Sequence, residues 1–248
     1  MSVVTFDYLL LSTFTLVFMK DFTPFEKSIG ITFSDKVLLQ QAFTHRSYIN
    51  ENPKSGFQHN ERLEFLGDAV IELVVTDYLY NQYPNHHEGD LTAYRSALVN
   101  AVIMGEVAQS LGMNEYLLLS KGEQKDTGRA RQTILANTYE SFVGALYLDQ
   151  GYASCDTFVT KTLLSKLEDI IKNKSWKDAK SLIQEEAQER VGVTPSYRVV
   201  SETGPDHDKH FTIGVFFGDL KIAEGKGRSK QEGEQKAALA ALTKKGWL

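Results

Sequence analysis

Acidic residues recur at three- and four-residue intervals along segment 61–80, which contains no proline. On a helix, which turns by about 100° per residue, Glu61, Glu64, Asp68 and Glu72 lie within roughly 80° of one another. The opposite side carries apolar residues, namely Leu63, Leu66, Val70, Leu73 and Val74. Like charges at this spacing weaken a helix, and a face needed only for solubility would mix in lysines. The stripe therefore favours a cation site, with a solvated acidic face as the alternative.

A second helix, predicted at 133–148, is almost wholly apolar, yet it carries Asn137 and Glu140 on one face. A buried carboxylate is costly unless it is paired or bound to a metal ion. Two helices that each present oxygen ligands could enclose a divalent cation, and such ligands suit magnesium. This ion activates water and neutralises the charge of a phosphodiester. Zinc chemistry is not supported, because His86 and His87 share a predicted turn far along the chain from Cys155.

The elements that must position these residues are helical up to about residue 172. Apolar periodicity and turn residues predict short helices within 20–50, with an N-cap at Phe33-Ser34-Asp35, and longer helices at 61–80, 91–111, 133–148 and 154–172. The pattern then predicts a helix at 178–191, strands at 197–202, 211–217 and 220–225, and a closing helix at 230–245. The predicted fold class is an all-α domain followed by a small α+β domain of order α-β-β-β-α.

The change of pattern also sets the domain boundaries: an N-terminal extension at 1–19, the helical domain at 20–172, a linker at 173–177 and the α+β domain at 178–246. The apolar run Val3–Phe18 contains Asp7 and follows no basic residue, so it fits neither a signal peptide nor a membrane helix. The single cysteine, Cys155, suits a reducing compartment and is expected to be buried. We expect a cytoplasmic protein without a membrane anchor.

The charge of the chain is unevenly distributed. Residues 1–174 hold 15 basic and 21 acidic side chains, a net of −6, and residues 175–248 hold 12 and 11, a net of +1, which together return the total of −5. An acidic surface repels nucleic acid. A polyanionic partner would therefore need metal ions or local basic patches in the first part of the chain.

Several strings match one family in order and spacing. They are Asn60–Val70, Ile134–Glu140, Gly144–Asp149, Thr44–Tyr48, and Glu88–Leu91 with Arg95. Together they resemble ribonuclease III, and the resemblance spans roughly residues 25–245. The first string is far more specific than an isolated glycine motif. We therefore expect the helical domain to be an endonuclease domain of this family.

The resemblance implies a role for individual residues. Asp68 and Glu140 fall at catalytic positions, and both also fall with Glu64 at metal-binding positions. Asn137 stands where the family often has aspartate; it can still ligate a cation, but with one negative charge less. Further acidic positions lining the cleavage valley are Glu61 and Glu88, and Phe65 falls where the family packs its dimer partner. Thr44, His45 and Ser47 are structural or substrate-side candidates.

The resemblance also implies an activity. A homodimer formed through the nuclease domain would cut opposite strands of double-stranded RNA by attack of a metal-activated water. The products would carry 5′-phosphates and short 3′ overhangs. The implied cofactor is Mg²⁺, for which Mn²⁺ would substitute, and no small-molecule cofactor is expected. Precursors of ribosomal RNA and messenger RNA are the expected substrates.

Residues 178–246 resemble a double-stranded RNA-binding domain. A-form RNA is gripped at its minor grooves and at the phosphates between them. The candidate RNA contacts fall in three regions: Gln184, Glu185 and Gln188 on the first helix; Pro205 and His207 in a loop; and Arg228, Ser229 and Lys230 at the start of the last helix. Related domains often have a second lysine where this chain has Gln231. Ala237, Ala238, Leu239 and Leu242 are predicted core residues, and Phe211, Val215 and Phe217 are predicted to pack in the sheet.

Two alternatives remain open at this point. The chain could hold duplex RNA without cutting it, if Asn137 disables the metal site. It could also be a helical scaffold whose acidic face is merely solvated. In the second case, removal of Glu64 and Asp68 would raise stability, and magnesium would not change the melting temperature.

Overall fold

A computed structural model describes residues 19–173, 176, 178–205 and 208–247. Contacts divide these residues into two compact units, the first made of residues 19–81 and 99–164 and the second of residues 82–98 and 165–247. Most of the predicted extension 1–19, most of the linker 173–177, and His207 lie outside the described residues. The predicted domain boundaries stay predictions.

The chain is mainly helical. The helices in chain order are α1 (Thr23–Ile29), α2 (Lys36–Ala42), α3 (Arg46–Glu51), α4 (Glu61–Gln82), α5 (Glu88–Leu98), α6 (Ala101–Ser110), α7 (Arg129–Gln150), α8 (Tyr152–Thr162), α9 (Leu167–Lys172), α10 (Ala179–Val191) and α11 (Lys230–Lys245). The strands are β1 (Pro195–Thr203), β2 (His210–Phe217) and β3 (Leu220–Gly227). This order confirms the predicted fold class. Among the helices of the described segments, none is long and apolar enough to cross a membrane.

Two predicted helices are wrong in extent because each is interrupted. The single helix predicted at 91–111 is two helices, α5 and α6, since Asn100 has an extended backbone and its side chain accepts hydrogen bonds from the amides of Val102 and Ile103. The helix predicted at 154–172 is likewise divided into α8, a 3-10 turn at Leu164–Lys166, and α9. Helix α7 is longer than predicted, because it begins at Arg129 and not at residue 133.

Aromatic rings fill the core of the first unit. The Phe43 ring lies 5.2 Å from that of Phe25 and 6.3 Å from that of Phe142, measured between centroids. Around them the ends of the helices are held by side chains. Asp35 caps α2, as predicted, and the Asp149 carboxylate at the end of α7 accepts hydrogen bonds from the amides of Ser34 (3.0 Å) and Asp35 (2.8 Å).

Cys155 is buried, as predicted, and burial raises the pKa of its thiol to about 12.

Helices α4 and α7 touch through their backbones. A Cβ atom on Gly67 would lie 1.8 Å from the carbonyl oxygen of Glu140, and one on Gly144 would lie 2.2 Å from the carbonyl oxygen of Leu63. Any side chain at either position would force the helices apart. The apolar side of α4 follows the prediction at Leu63, Val70 and Val74, which are buried, but Leu73 is 57% exposed and is not a core residue.

The second unit contains an antiparallel sheet of order β1-β2-β3, on which α10 and α11 pack. Its core contains Leu182, Ile183, Val215 and Ala241, together with Ala237, Ala238 and Leu242, which were predicted as core. Leu239 was also predicted as core; this is wrong, because its side chain faces outward and is 50% exposed. Phe217 packs against the core as predicted, and the Trp247 ring stacks on it at 5.8 Å.

We predict that Gly67→Ala destabilises the chain by about 3 kcal/mol, because overpacking at a rigid contact forces backbone shifts. Urea unfolding would show this as a lower midpoint. Gly89→Ala is the matched control, since a Cβ on this helical glycine would meet nothing within 4 Å. Equal midpoints for the two variants would contradict the close contact between α4 and α7.

Candidate functional site

The first turns of α4 carry the acidic stripe. Glu61 and Glu64 are half-buried and Asp68 is exposed. The start of the helix is fixed by Asn60, which is buried and donates from Nδ2 to the carbonyl oxygen of Ala42 (3.2 Å) and from its backbone amide to that of Thr44 (2.9 Å). The stripe therefore projects from a helix whose first turn is firmly anchored.

Helix α7 supplies the second half of the site. Asn137 and Glu140 are half-buried, whereas their neighbours Thr138 and Tyr139 are fully buried. The Asn137 side chain hydrogen-bonds to the Glu64 carboxylate across the two helices. The structure thus brings together the four predicted metal-site residues, which we call the acidic cluster: Glu64, Asp68, Asn137 and Glu140.

The carboxylates of the acidic cluster oppose one another's ionisation. Burial, followed by the charges of Asp68 and Glu64, raises the pKa of Glu140 to about 8. Burial and the charges of Glu61 and Asp68 also raise the pKa of Glu64, against a lowering effect of the Asn137 hydrogen bond. At neutral pH the cluster therefore has an unfavourable concentration of negative charge, which a proton or a cation would relieve.

The donor set of the acidic cluster fits a hard divalent cation, because every candidate ligand is a carboxylate or amide oxygen. In the part of the chain that the structure describes, no three His, Cys, Asp or Glu side chains are gathered closely enough to hold an ion. The metal set predicted from the sequence stays a prediction.

Residues of α3 flank the stripe. Arg46 Nη2 lies 2.9 Å from Glu61 Oε2, an ion pair that the sequence offers no signal for. The other candidates of this segment make structural contacts. Thr44 is buried and donates to the carbonyl oxygen of Gln40, the His45 side chain caps α3, and Ser47 Oγ accepts from the amide of Ser120.

Two further predicted residues, Phe65 and Glu88, lie on different helices. Phe65 is 81% exposed on α4, and its predicted role at a dimer interface stays a prediction. It borders an open hollow of about 640 Å³ that is also lined by Leu38, Leu63 and Leu148. Glu88 is the first residue of α5 in the second unit, where its carboxylate accepts a hydrogen bond from Thr92 (3.0 Å).

The predicted RNA contacts lie at the surface of the second unit. Gln184, Glu185 and Gln188 are exposed on α10, and Pro205 is exposed before the loop residues that lie outside the described segments. The side-chain Nε2 of Gln188 donates to Thr194 Oγ1 at 3.3 Å. The spacing of the three α10 residues places them on one polar face.

Helix α11 begins with a capped N-terminus, where the basic side chains are exposed. Ser229 Oγ accepts from the amide of Glu232 (3.1 Å), and the Glu232 carboxylate accepts from the amide of Arg228 (2.8 Å). Arg228 and Lys230 are exposed, and Lys230 Nζ lies 5.8 Å from the centroid of the Phe211 ring. This helix start has the positive charge and the dipole orientation that favour phosphate.

Comparisons with known proteins agree with this arrangement. A family described as Ribonuclease-III-like matches residues 35–167, and one described as Double-stranded RNA binding motif matches residues 179–245. A protein named ribonuclease 3 from Pelotomaculum thermopropionicum is 42% identical over 90% of this chain and 92% of its own length. One of the same name from Protochlamydia amoebophila is 44% identical over 88% and 90%.

A solved structure is also similar. The nuclease domain of ribonuclease III from Campylobacter jejuni, described with structural flexibility in a region involved in dimer formation, superposes with a TM-score of 0.53 and 36% identity. It covers 58% of this chain and 97% of that domain. The likeness covers the helical part that carries the acidic cluster.

We predict that Glu140→Gln stabilises the metal-free chain more at pH 8.5 than at pH 5. The folded pKa, about 8, lies above the ordinary value of 4.5, so the folded state holds the proton more tightly. The stability this contributes is complete below about pH 4.5 and is lost as pH rises to about 8.

Thermal melting in a chelator would test this, with Glu106→Gln as the control because Glu106 is exposed on α6. The gain in melting temperature from Glu140→Gln should grow with pH, whereas the control should show no such growth. A gain that is the same at both pH values would contradict the raised pKa.

Proposed function

Since the chain belongs to the ribonuclease III family, whose members are endoribonucleases of double-stranded RNA, we propose that it hydrolyses duplex RNA with magnesium at the acidic cluster. The observation that carries this proposal is that Glu64 and Asp68 of one helix and Glu140 of another act on one another electrostatically, with Asn137 hydrogen-bonded to Glu64. The Glu140 carboxylate is half-buried, and burial with the charges of Asp68 and Glu64 raises its pKa to about 8, which a bound cation would counteract.

Glu64, Asp68, Asn137 and Glu140 would hold Mg²⁺, or Mn²⁺ in its place. The bound ion supplies activation of water and neutralises charge on the phosphodiester. Asn137 holds the Glu64 carboxylate by a hydrogen bond, and Glu140, whose pKa is raised to about 8, would bind a cation as the carboxylate. By the family resemblance, Glu61 and Glu88 would be further acidic positions.

We propose a homodimer formed through the nuclease domain. Phe65 is 81% exposed on α4, and Leu73 on the same helix and Leu148 at the end of α7 are also exposed. Exposed apolar side chains in such numbers mark an interface. The hollow beside Phe65 offers an apolar surface of the kind that a second copy would cover. Two copies supply one acidic cluster for each RNA strand, which gives 5′-phosphate products with short 3′ overhangs.

The α+β domain would hold the duplex. Its α10 face, formed by Gln184, Glu185 and Gln188, is suited to 2′-hydroxyl groups, and the start of α11 is suited to phosphates. The loop with Pro205 and His207 would reach a second minor groove. Gln231 in place of a second lysine predicts modest phosphate affinity, on the order of one fewer ion released on binding. The expected substrates are precursors of ribosomal RNA and messenger RNA, in the cytoplasm.

Cleavage of a labelled RNA duplex in magnesium tests the proposal. We expect Glu140→Gln to lower the rate by about a hundredfold or more, because a lost ligand removes several kcal/mol of charge stabilisation. Glu106→Gln, on exposed α6, is the matched control and should cut at the normal rate. Cleavage that survives Glu140→Gln would refute the role of Glu140. A chain that binds the duplex and never cuts it would instead be an RNA-binding protein.

Asn137 sets the charge of the site, so Asn137→Asp should strengthen its metal affinity. The variant adds one negative charge next to Glu64, to which Asn137 is hydrogen-bonded. We expect half-maximal cleavage at a lower magnesium concentration in the variant, measured by titration at constant RNA. Half-maximal cleavage at a lower concentration in the natural chain would contradict this assignment.

A further inference from the structure

An arginine neutralises the first residue of the acidic stripe. Arg46 Nη2 lies 2.9 Å from Glu61 Oε2, and His59 Nδ1 lies 3.8 Å from the same oxygen. Arg46 is the first residue of α3, and Glu61 is the first residue of α4. The Glu61 carboxylate therefore has a cation on its α3 side and the acidic cluster farther along its own helix.

The backbone holds these two helix starts together. The amide of Asn60, directly before Glu61, donates to the carbonyl oxygen of Thr44 at 2.9 Å. The amide of His45, directly before Arg46, donates to the carbonyl oxygen of Leu118 at 3.0 Å, and the His45 side chain caps α3. The approach of Arg46 to Glu61 is thus built into the fold and does not depend on the two side chains alone.

Stability alone does not account for this ion pair. The side chains of Arg46 and Glu61 are 58% and 43% exposed, and ion pairs this exposed contribute little to folding stability. The charge of Glu61 is nevertheless felt inside the site, since after burial it is the largest cause of the raised pKa of Glu64. What Arg46 neutralises is therefore a charge that acts on a candidate metal ligand.

We propose that Arg46 is a positioning residue, which holds Glu61 at the edge of the acidic cluster and keeps it from binding the cation. This inference rests on the proposed function of the cluster. Without Arg46, the Glu61 carboxylate can turn along α4 toward Glu64 and add a further negative ligand. The site would then take up divalent cations more tightly, and it would do so only while Glu61 is present.

The test is Mn²⁺ binding to the full chain without RNA, measured by titration calorimetry. We expect Arg46→Gln to lower the Kd on the order of threefold, because exposed charges are partly screened. Arg46→Lys keeps the charge and should bind as the natural chain does. Glu61→Gln should remove the effect, so that the double variant has the Kd of Glu61→Gln. Arg62→Gln is the matched control, because Arg62 is exposed beside Glu61.

Each contrary result has a distinct meaning. If Arg46→Gln tightens binding equally with and without Glu61, or if Arg62→Gln has the same effect, Arg46 acts only by its charge and the proposal fails. If Arg46→Gln leaves the Kd unchanged and only lowers the melting temperature, the Arg46–Glu61 ion pair is merely structural, and the proposal also fails. If the natural chain binds Mn²⁺ and cuts duplex RNA in these cases, the proposed function still stands. A natural chain that binds no Mn²⁺ overturns both.

Discussion

Helices α4 and α7 meet where neither has a side chain, and the rest of the site depends on this contact. A Cβ at Gly67 would lie 1.8 Å from the Glu140 carbonyl oxygen, so no side chain fits between the two helices there. Gly144 makes the reciprocal contact with the Leu63 carbonyl oxygen. Their register is therefore fixed. Glu64 and Asp68 flank Gly67 along α4, and Glu140 carries the carbonyl group that faces it. Close backbone packing is what places carboxylates of two helices against one another.

This placement is electrostatically unfavourable, and the protein limits the cost locally. Carboxylates brought together in a half-buried position resist ionisation, as the pKa of Glu140 near 8 indicates. Asn137 offers a hydrogen bond to Glu64 without adding charge, and Arg46 offsets the charge of Glu61 at the border of the site. Such strain between like charges is typical of sites that bind a counter-ion. The carboxylates of the acidic cluster thus lower the stability of the fold, while the proposed function needs them close together.

The sequence predicts the local part of this arrangement well. The helix at 61–80 and the N-cap at Asp35 follow from periodicity and residue type, and both are found. It fails where a single polar residue overrides an apolar pattern, as Asn100 does by capping α6 within a predicted helix. It also fails for Leu239, since periodicity does not fix which apolar side chains a helix buries. The Arg46–Glu61 pair joins two helices, so only three-dimensional structure reveals it.

The position of Trp247, which stacks on Phe217, has a consequence for fluorescence spectroscopy. The chain has two tryptophans, Trp176 and Trp247, and both belong to the second unit. Light that excites indole selectively therefore reports on the second unit, while the unit that carries the acidic cluster has tyrosines and no tryptophan. Unfolding by heat or urea can then be followed by indole emission for the second unit and by far-UV circular dichroism for the whole chain, and transitions that do not coincide would reveal two units that melt independently.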